Sequence, residues 1–593
     1  MKIAVSPPST PRKIWELLGD AEHSNAIVLL CLMFIGMLLE TLGVGLVIPA
    51  LALLTQPDFA GKHPTLQPIL QSLGNPGQHT LVIYGMLVLV GVYFVKALFL
   101  AYLVWRQARF ASGVQVRLSQ RLFTTYLRQP YTFHLQRNSA QLMLNVTSEV
   151  GMFTGATTQA MNLLTESLVL LGLCTLLLVV EPLGALIVVS VLGIAAWGFH
   201  RLTRRRITRW GEVRQHHEGL RIQHLQQGLG GAKDVKLLGR EADFLEQFRV
   251  HNAYGAHVGQ LLATLQQLPR LWLELLAVSG LAILVVSMLA QGSALEAILP
   301  TLGLFAAAAF RLMPSVNRIL SALQSLRYGL SMIDTLYAEF KLAPPEAASV
   351  SAPAVPFRAK LELNKVTYAY PCAAKAALNE ISLTIRHGES VGFIGSSGSG
   401  KSTLVDIMLG LLTPDSGEVR LDGEDIQQSL RNWQDQIGYV PQSIFLTDDT
   451  LTRNVAFGLP NAQIDEVAVW RAIRAAQLED FVHSLPKKLD TLVGERGIRL
   501  SGGQRQRIGI ARALYHDPVV LVLDEATSSL DTATERDVMQ AVRALQGRKT
   551  ILIVAHRLST VEHCDRLYRL ELGRVVEEGA PETMLTSMSG TSG

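Results

Sequence analysis

The sequence is poor in charged residues and in cysteine. Of its 593 residues only 17% are Asp, Glu, Lys or Arg, whereas soluble domains carry about 25%. Together with a hydrophobic fraction of 49% and a mean hydropathy of +0.27, this shortage predicts that part of the chain lies in lipid. The cysteines form no C-x-x-C pair, which excludes the common thiol-based metal and redox motifs. They are Cys31, Cys174, Cys372 and Cys564, and we expect them to be small buried hydrophobic residues.

A strong excess of either charge is also lacking. The net charge of +4 is too small to indicate nucleic-acid binding, so we expect no nucleic-acid partner. Residues 1–340 are clearly net basic, and the remainder of the chain is mildly acidic. The length allows roughly two to four domains, and this asymmetry indicates that at least two are present.

Six apolar stretches before residue 315 are long enough, or nearly so, to cross a membrane, which takes about 20 helical residues. They are 26–53, 81–105, 161–180, 183–199, 272–289 and 296–313. The fourth and sixth are short, and the sixth carries Arg311. The first run starts well inside the chain and has no small-residue cleavage site, so we do not expect a signal peptide.

The basic residues predict the orientation of these helices. Segment 106–160 holds six arginines and segment 200–271 holds twelve Lys or Arg, whereas segment 54–80 holds only Lys62. Because basic loops stay in the cytoplasm, both long loops and both termini are expected inside. Each long loop has a helical composition. Folded as two antiparallel arms, it would reach roughly 35 Å beyond the membrane.

The composition changes after residue 341. We expect a cytoplasmic segment at 1–24, a membrane domain at 25–341, an Ala- and Pro-rich linker at 342–356 and a soluble domain at 357–586. Residues 587–593 are expected to be a disordered tail. The soluble domain alternates short β-branched runs with helical stretches, which is typical of an α/β fold.

A complete P-loop follows the first buried strand of the soluble domain, at 390–394. Its residues are Gly395, Ser396, Ser397, Gly398, Ser399, Gly400, Lys401 and Ser402, and Thr403 then continues into an apolar helix. The glycines let backbone amides converge on phosphate oxygens at a helix N-terminus. Lys401 would neutralise the outer phosphates of a nucleotide, and Ser402 would bind Mg²⁺.

A second buried strand, 519–523, ends in two carboxylates. Asp524 is suited to the Mg²⁺ shell, and Glu525 is suited to polarising an attacking water. Between the two strands lies the sequence Leu-Ser-Gly-Gly-Gln, in which the last four residues are Ser501, Gly502, Gly503 and Gln504, followed by an arginine-rich helix.

With these motifs the chain resembles the ATP-binding cassette (ABC) exporters, in which six spanning helices precede one cassette. The resemblance implies an α-helical membrane domain fused to an α/β P-loop cassette, with ATP and Mg²⁺ as ligands. By the same resemblance Tyr370 would stack on adenine, Gln442 would contact Mg²⁺ and water, and His556 would contact the γ-phosphate. Asp531 matches the D-loop, and 494–497 looks like the X-loop of exporters.

The resemblance also implies a second copy. In this family the signature residues Ser501 and Gly503 act on ATP bound to the other cassette, so one chain cannot complete a site. Every catalytic position has the active-type residue, which favours a homodimer. Short segments near 129–137 and 231–239 resemble the coupling helices that dock on the cassettes.

Only residues of the membrane domain can indicate which molecule is transported, because the cassette motifs do not depend on the cargo. Lys96 and Arg311 are expected deep in the membrane, and Arg318 continues down the sixth helix. Deep charges are costly unless they face water, a partner or a substrate. One hypothesis is a basic cavity for a phosphate or pyrophosphate; the alternative is snorkelling or pairing with Glu40 or Glu274.

The outer loop offers a second indication. Segment 64–74 places apolar residues on one helical face, as in a helix lying on a membrane surface, although it could equally pack on its own protein. Such a helix, and segments 40–49 and 230–241, resemble bacterial flippases of lipid-linked oligosaccharides.

These features predict an ATP-driven exporter or flippase of the bacterial cytoplasmic membrane. The first choice of cargo is a polyprenyl-pyrophosphate-linked saccharide; lipid A precursors, other lipids and hydrophobic drugs are the alternatives. An ATP-gated channel or regulatory subunit would keep the cassettes without driving transport. The six spans exclude a soluble chromosome-organising cassette ATPase.

Overall fold

The computed structural model describes residues 10–55, 77–180, 182–290, 295–342, 356–371, 373–527, 532–555 and 557–589. The chain forms two compact units. The first comprises Met1–Gln129 and Arg137–Pro344, and the second comprises Pro130–Gln136 and Pro345–Gly593. The predicted linker at 342–356 and outer-loop helix at 64–74 lie largely or wholly outside the described residues.

The first unit is helical throughout its described residues. Its helices are α1 (Thr10–Leu17), α2 (Asp20–Thr55), α3 (Gln78–Leu127), α5 (Ser139–Leu144), α6 (Val150–Val180), α7 (Pro182–Gly230), α8 (Ala232–Leu237), α9 (Glu241–Ala290), α10 (Leu295–Tyr328) and α11 (Leu330–Phe340), and a π-helical turn, Asn145–Glu149, joins α5 to α6. The six predicted apolar stretches lie on the six long helices α2, α3, α6, α7, α9 and α10.

The outer faces of these helices are apolar. On α3 the side chains of Leu87 and Phe94 are 63% and 64% exposed, and such large exposed hydrophobic surfaces are expected only against lipid or a partner. Within the described residues, four helical segments are long and apolar enough to span a membrane. The fifth and sixth predicted stretches include side chains outside the described residues.

Three of the long helices far exceed the membrane. Helix α3 has 50 residues, α7 has 49 and α9 has 50, so each is about 75 Å long against a hydrocarbon core of about 30 Å. The helical parts of the predicted basic loops are therefore continuous with the long helices α3, α7 and α9. Short helices stand at both predicted coupling positions: α4 (Tyr131–Gln136), which belongs to the second unit, and α8 in the first.

The second unit contains two sheets. A four-stranded antiparallel sheet has the order β2 (Leu378–Arg386), β1 (Lys360–Tyr368), β4 (Ser416–Leu421), β5 (Glu424–Asp425). A six-stranded sheet has the order β10 (Arg574–Gly579), β9 (Arg566–Glu571), β3 (Ser390–Gly395), β8 (Thr550–Val554), β7 (Val520–Asp524), β6 (Ile437–Val440). All its pairings are parallel except that of the edge strand β10. Strands β3, β7 and β8 therefore end at the same edge, where ligands bind in such sheets.

Helices cover these sheets. They are α12 (Lys401–Met408), α13 (Leu430–Gln434), α14 (Leu451–Val455), α15 (Glu466–Ala475), α16 (Glu479–Ser484), α17 (Gly502–Leu514), α18 (Thr532–Arg543), α19 (Leu558–Val561) and α20 (Pro581–Ser589). Helix α20 continues three residues into the predicted tail, and residues 590–593 lie outside the described part. Strand β3 is buried from Ser390 to Ile394, as its unbroken apolar run predicts for a central parallel strand.

Candidate functional site

The P-loop requires its glycines. Gly395, Gly398 and Gly400 have φ values of 152°, 78° and 101°, a region that side chains rarely adopt. A Cβ on Gly400 would lie only 2.7 Å from the carbonyl oxygen of Ala377. The loop can therefore bring its amides together only because these positions lack side chains.

Lys401 lies folded inside this loop. Its ammonium group donates hydrogen bonds to the carbonyl oxygens of Gly395 and Ser396, at 3.0 and 2.9 Å, and the residue is only 5% exposed. Burial lowers the pKa of Lys401, and the nearby carboxylates of Glu525 and Asp524 partly offset that effect. The ammonium group of Lys401 can therefore bind a phosphate if the phosphate oxygens replace these two carbonyl oxygens as hydrogen-bond acceptors.

The start of α12 connects the loop to the predicted adenine-binding residue. Ser402 and Thr403 lie in the first turn of the helix. The hydroxyl of Tyr370 is 3.1 Å from that of Thr403. The structure thus brings Tyr370 to the P-loop, as the family pattern predicts.

The two acidic residues lie at the end of β7. Asp524 accepts a hydrogen bond from the hydroxyl of Tyr439 at 3.4 Å. Glu525 has a positive φ of 49°, an uncommon backbone conformation for this residue type. Gln442 donates a hydrogen bond of 2.6 Å to Oε2 of Glu525. Two residues predicted from distant motifs are therefore in direct contact at one end of the parallel sheet.

The signature segment forms a helix cap. Ser501 precedes α17, and its hydroxyl accepts a hydrogen bond from the amide of Gln504 at 3.2 Å. The Gln504 side chain in turn accepts one from the amide of Ser501 at 2.8 Å. Gly502 and Gly503 form the first turn. Among the described residues, no hydrogen bond joins Ser501 or Gln504 to the P-loop.

His556 and Asp531 lie outside the described residues. Next to His556, however, Arg557 donates a 2.6 Å hydrogen bond to the carboxylate of Glu535, which is only 6% exposed. Thr560 donates to the same carboxylate at 3.0 Å. This buried polar cluster anchors the segment that follows β8.

Two of the basic residues predicted to contact the cargo form ion pairs with a neighbouring helix. Lys96 lies 2.7 Å from Glu40 and its ammonium stands over the ring of Tyr93; the residue is 8% exposed. Arg318 lies 2.8 Å from Glu166, and their side chains are 60% and 15% exposed. The side chain of Arg311 lies outside the described residues. Lys96 is therefore already neutralised by Glu40, the pairing that the sequence offered as the alternative to substrate binding.

Comparisons with known proteins match both halves. Residues 25–312 match the family model described as ABC transporter transmembrane region, and residues 378–528 match the model described as ABC transporter. The chain is 33% identical over 508 residues to an ATP-dependent lipid A-core flippase of Dechloromonas aromatica, covering 84% of this chain and 85% of that protein. A flippase of the same name from Chromobacterium violaceum is 31% identical over 546 residues, covering 90% and 91%. This chain belongs to the ABC transporters.

The fold of this ABC transporter matches that of a solved ABC exporter. A bacterial Atm1-family ABC exporter solved with ATP bound matches with a TM-score of 0.78, at 23% identity, over 97% of this chain and 99% of that chain. The predicted combination of an exporter-type membrane domain and an α/β cassette is thus confirmed. The family models and the flippase relatives confirm the assignment as an ATP-driven transporter.

Sequence reasoning missed three polar residues of this ABC transporter's cassette. Burial, with a smaller effect of Asp524, raises the pKa of Asp406 to about 6. Tyr439 bonds Asp524, and buried Gln506 donates to the backbone oxygen of Gln442 at 3.3 Å. Asp406 and Gln506 are polar residues on otherwise apolar helix faces. A polar residue in such a position indicates a buried polar contact, and this feature of the sequence could have identified both.

Proposed function

We propose that two copies of this chain use ATP hydrolysis to move a phosphorylated lipid from the inner to the outer leaflet of the bacterial cytoplasmic membrane. Lipid A carrying its core saccharide is the favoured cargo. This replaces the polyprenyl-pyrophosphate saccharide as the first choice, because the relatives named lipid A-core flippases match more than four fifths of both chains.

The contact between Gln442 and Glu525 supports the catalytic assignment. Glu525 would take a proton from a water molecule that attacks the γ-phosphorus, with ADP leaving on the opposite side. The oxygen donors Ser402, Gln442 and Asp524 would hold Mg²⁺, which would neutralise developing phosphate charge. His556 would contact the γ-phosphate and Tyr370 the adenine.

A second copy would complete each ATP site. The signature cap places Ser501 and Gly503 at the start of α17, a helix N-terminus that favours anions. Since no hydrogen bond joins Ser501 or Gln504 to the P-loop within the described cassette, the signature is free to act on a nucleotide held by the other copy. Asp531 would belong to the same shared boundary.

The exposed guanidinium of Arg318 supports a phosphate-bearing cargo. We assign Arg318 and Arg311 to the headgroup region, since Arg presents bidentate donors to phosphate. Lys96 has a structural role in this proposal because its side chain in the pair with Glu40 is only 10% exposed, whereas that of Arg318 is 60% exposed beside Glu166. The distribution of basic residues supports cytoplasmic termini.

Flipping in proteoliposomes tests this function. Labelled lipid A and a labelled polyprenyl-pyrophosphate oligosaccharide are compared, with Glu525→Gln as the inactive control. ATP-dependent movement of lipid A that the variant abolishes is expected. Movement of the oligosaccharide alone would restore the first cargo choice. Lipid movement down its gradient without ATP turnover would instead indicate a gated channel.

A further inference from the structure

Two tryptophan–arginine pairs stand where the apolar stretches 81–105 and 183–199 end. The guanidinium of Arg109 lies 5.4 Å from the ring of Trp105 on α3, and that of Arg201 lies 5.5 Å from the ring of Trp197 on α7. Both tryptophans are more than half exposed. Exposed tryptophans concentrate where lipid headgroups meet the hydrocarbon. In the proposed orientation these ends of the two stretches are the cytoplasmic ends.

A polar pocket includes Arg109 of the first pair among its lining residues. It has a volume of about 550 Å³ and lies between the start of α2 and the middle of α3. Three of its lining residues are Arg106, Arg109 and Arg117. Arg117 forms an ion pair with Glu22. Within the described part of the chain, no carboxylate lies within ion-pair distance of Arg106 or Arg109. Among the described residues, these two cations, one helical turn apart, thus have no acidic partner.

An apolar cavity adjoins this pocket. It has a volume of about 180 Å³ and is lined by hydrocarbon side chains of α1, α2, α3, α6 and α11, including Met33, Phe153 and Met161. Leu29 and Phe110 line both spaces. The cavity is larger than an engineered cavity of about 150 Å³ that stays dry and binds small hydrocarbons. The arginine-lined pocket and the apolar cavity therefore lie side by side, one suited to an anionic group and the other to a hydrocarbon chain.

We infer that these spaces form a binding site for an anionic glycerophospholipid of the inner leaflet. Its phosphate lies between Arg106 and Arg109, and part of one acyl chain enters the apolar cavity. Basic pockets between membrane helices on the cytoplasmic side attract anionic headgroups, and the guanidinium matches phosphate geometry. The site lies between α2 and α3, and its lining does not include Arg318 or Glu166. It rests on the proposed orientation and not on the identity of the cargo.

Native mass spectrometry of the full dimer, titrated with dioleoylphosphatidylglycerol, tests the headgroup half of this site. The double variant R106Q/R109Q is expected to bind the lipid about thirty-fold more weakly, from the typical contribution of two basic residues near an anionic surface. R205Q/R206Q on α7 removes the same charge from another exposed pair and is expected to keep wild-type affinity. Wild type is expected to prefer this lipid to dioleoylphosphatidylcholine.

A second variant tests the hydrocarbon half. Ala160 lines the cavity, and Ala160→Leu narrows it. This change is expected to weaken binding of the dioleoyl lipid while leaving the dihexanoyl form unaffected. Equal affinity of R106Q/R109Q and wild type would overturn the inference. So would equal loss in R205Q/R206Q, which would indicate diffuse attraction. Dissociation of R106Q/R109Q into monomers would identify the pocket as a subunit contact instead.

Discussion

The pairing of Arg318 with Glu166 predicts that substrate and carboxylate compete for one guanidinium. In the substrate-free protein Glu166 lies 2.8 Å from Arg318, and the arginine is mostly exposed whereas the carboxylate is mostly buried. A phosphate that binds Arg318 must displace this carboxylate. Glu166→Gln removes the competing charge while keeping the side chain's shape, so we expect tighter binding of an anionic headgroup.

The exposure of the pair sets the size of the effect. Because the Arg318 side chain is 60% exposed, water screens its attraction to Glu166, and exposed pairs of this kind contribute at most about 1 kcal/mol. That free energy corresponds to a change of about five-fold in a dissociation constant. We therefore expect the lipid A concentration for half-maximal stimulation of ATP hydrolysis to fall about five-fold.

The assay is lipid A-stimulated ATP hydrolysis of the full transporter in nanodiscs. Glu274→Gln is the matched control, since it removes a carboxylate from the exposed Arg270–Glu274 pair on α9. Arg318→Gln is expected to raise the half-maximal concentration. If Glu166→Gln left that concentration unchanged or raised it, competition at Arg318 would be refuted. If no variant or wild type responded to lipid A, the proposed cargo would be wrong.

Three further predictions concern the cassette. Gly400→Ala would force a Cβ to 2.7 Å from the oxygen of Ala377 at a φ of 101°. We expect it to weaken ATP binding at least about ten-fold, measured by nucleotide titration. Gln504→Ala removes half of the Ser501 capping box and should cost about 1 kcal/mol in unfolding free energy; ATPase activity should fall, and an unchanged rate would argue against a role for that cap. Asp406→Asn should raise Tm at pH 8, because a pKa of about 6 makes the partly buried carboxylate destabilising once it ionises. The unfolded carboxyl ionises at about 3.9, so this advantage should hold nearly constant from pH 8 to about 7 and shrink as the pH falls from about 6 to about 4; a constant difference in Tm over the lower range would contradict it.

Local patterns sufficed to predict the cassette. A buried strand followed by a glycine-rich loop leaves few alternatives, because only glycine tolerates the conformations of Gly395 and Gly400. The contact between Gln442 and Glu525 was foreseen only as shared membership of one site. The parallel order of β6, β7 and β8 explains why they meet, since residues after neighbouring strands meet at one edge.

Pairing between distant helices was much harder to predict. Periodicity shows which face of a helix is apolar, but not which helix it meets. Thus Glu40 was foreseen as one of two partners for Lys96, whereas Glu166 was not foreseen as the partner of Arg318. The length of the helical arms followed from composition, while the continuity of α3 through the membrane surface required the structure.

We expect the hydrogen bond between Gln442 and Glu525 to slow ATP hydrolysis by a lone cassette. While the amide donates to Oε2, one acceptor position of the proposed base is occupied, and a reacting water must displace the amide or use another position. In a cell, ATP is always abundant, so the presence of nucleotide alone is a poor signal for starting a cycle. Hydrolysis would instead follow a conformational change that moves Gln442 away from Glu525. The rate of ATP hydrolysis would then depend on that conformational change and not on the concentration of nucleotide.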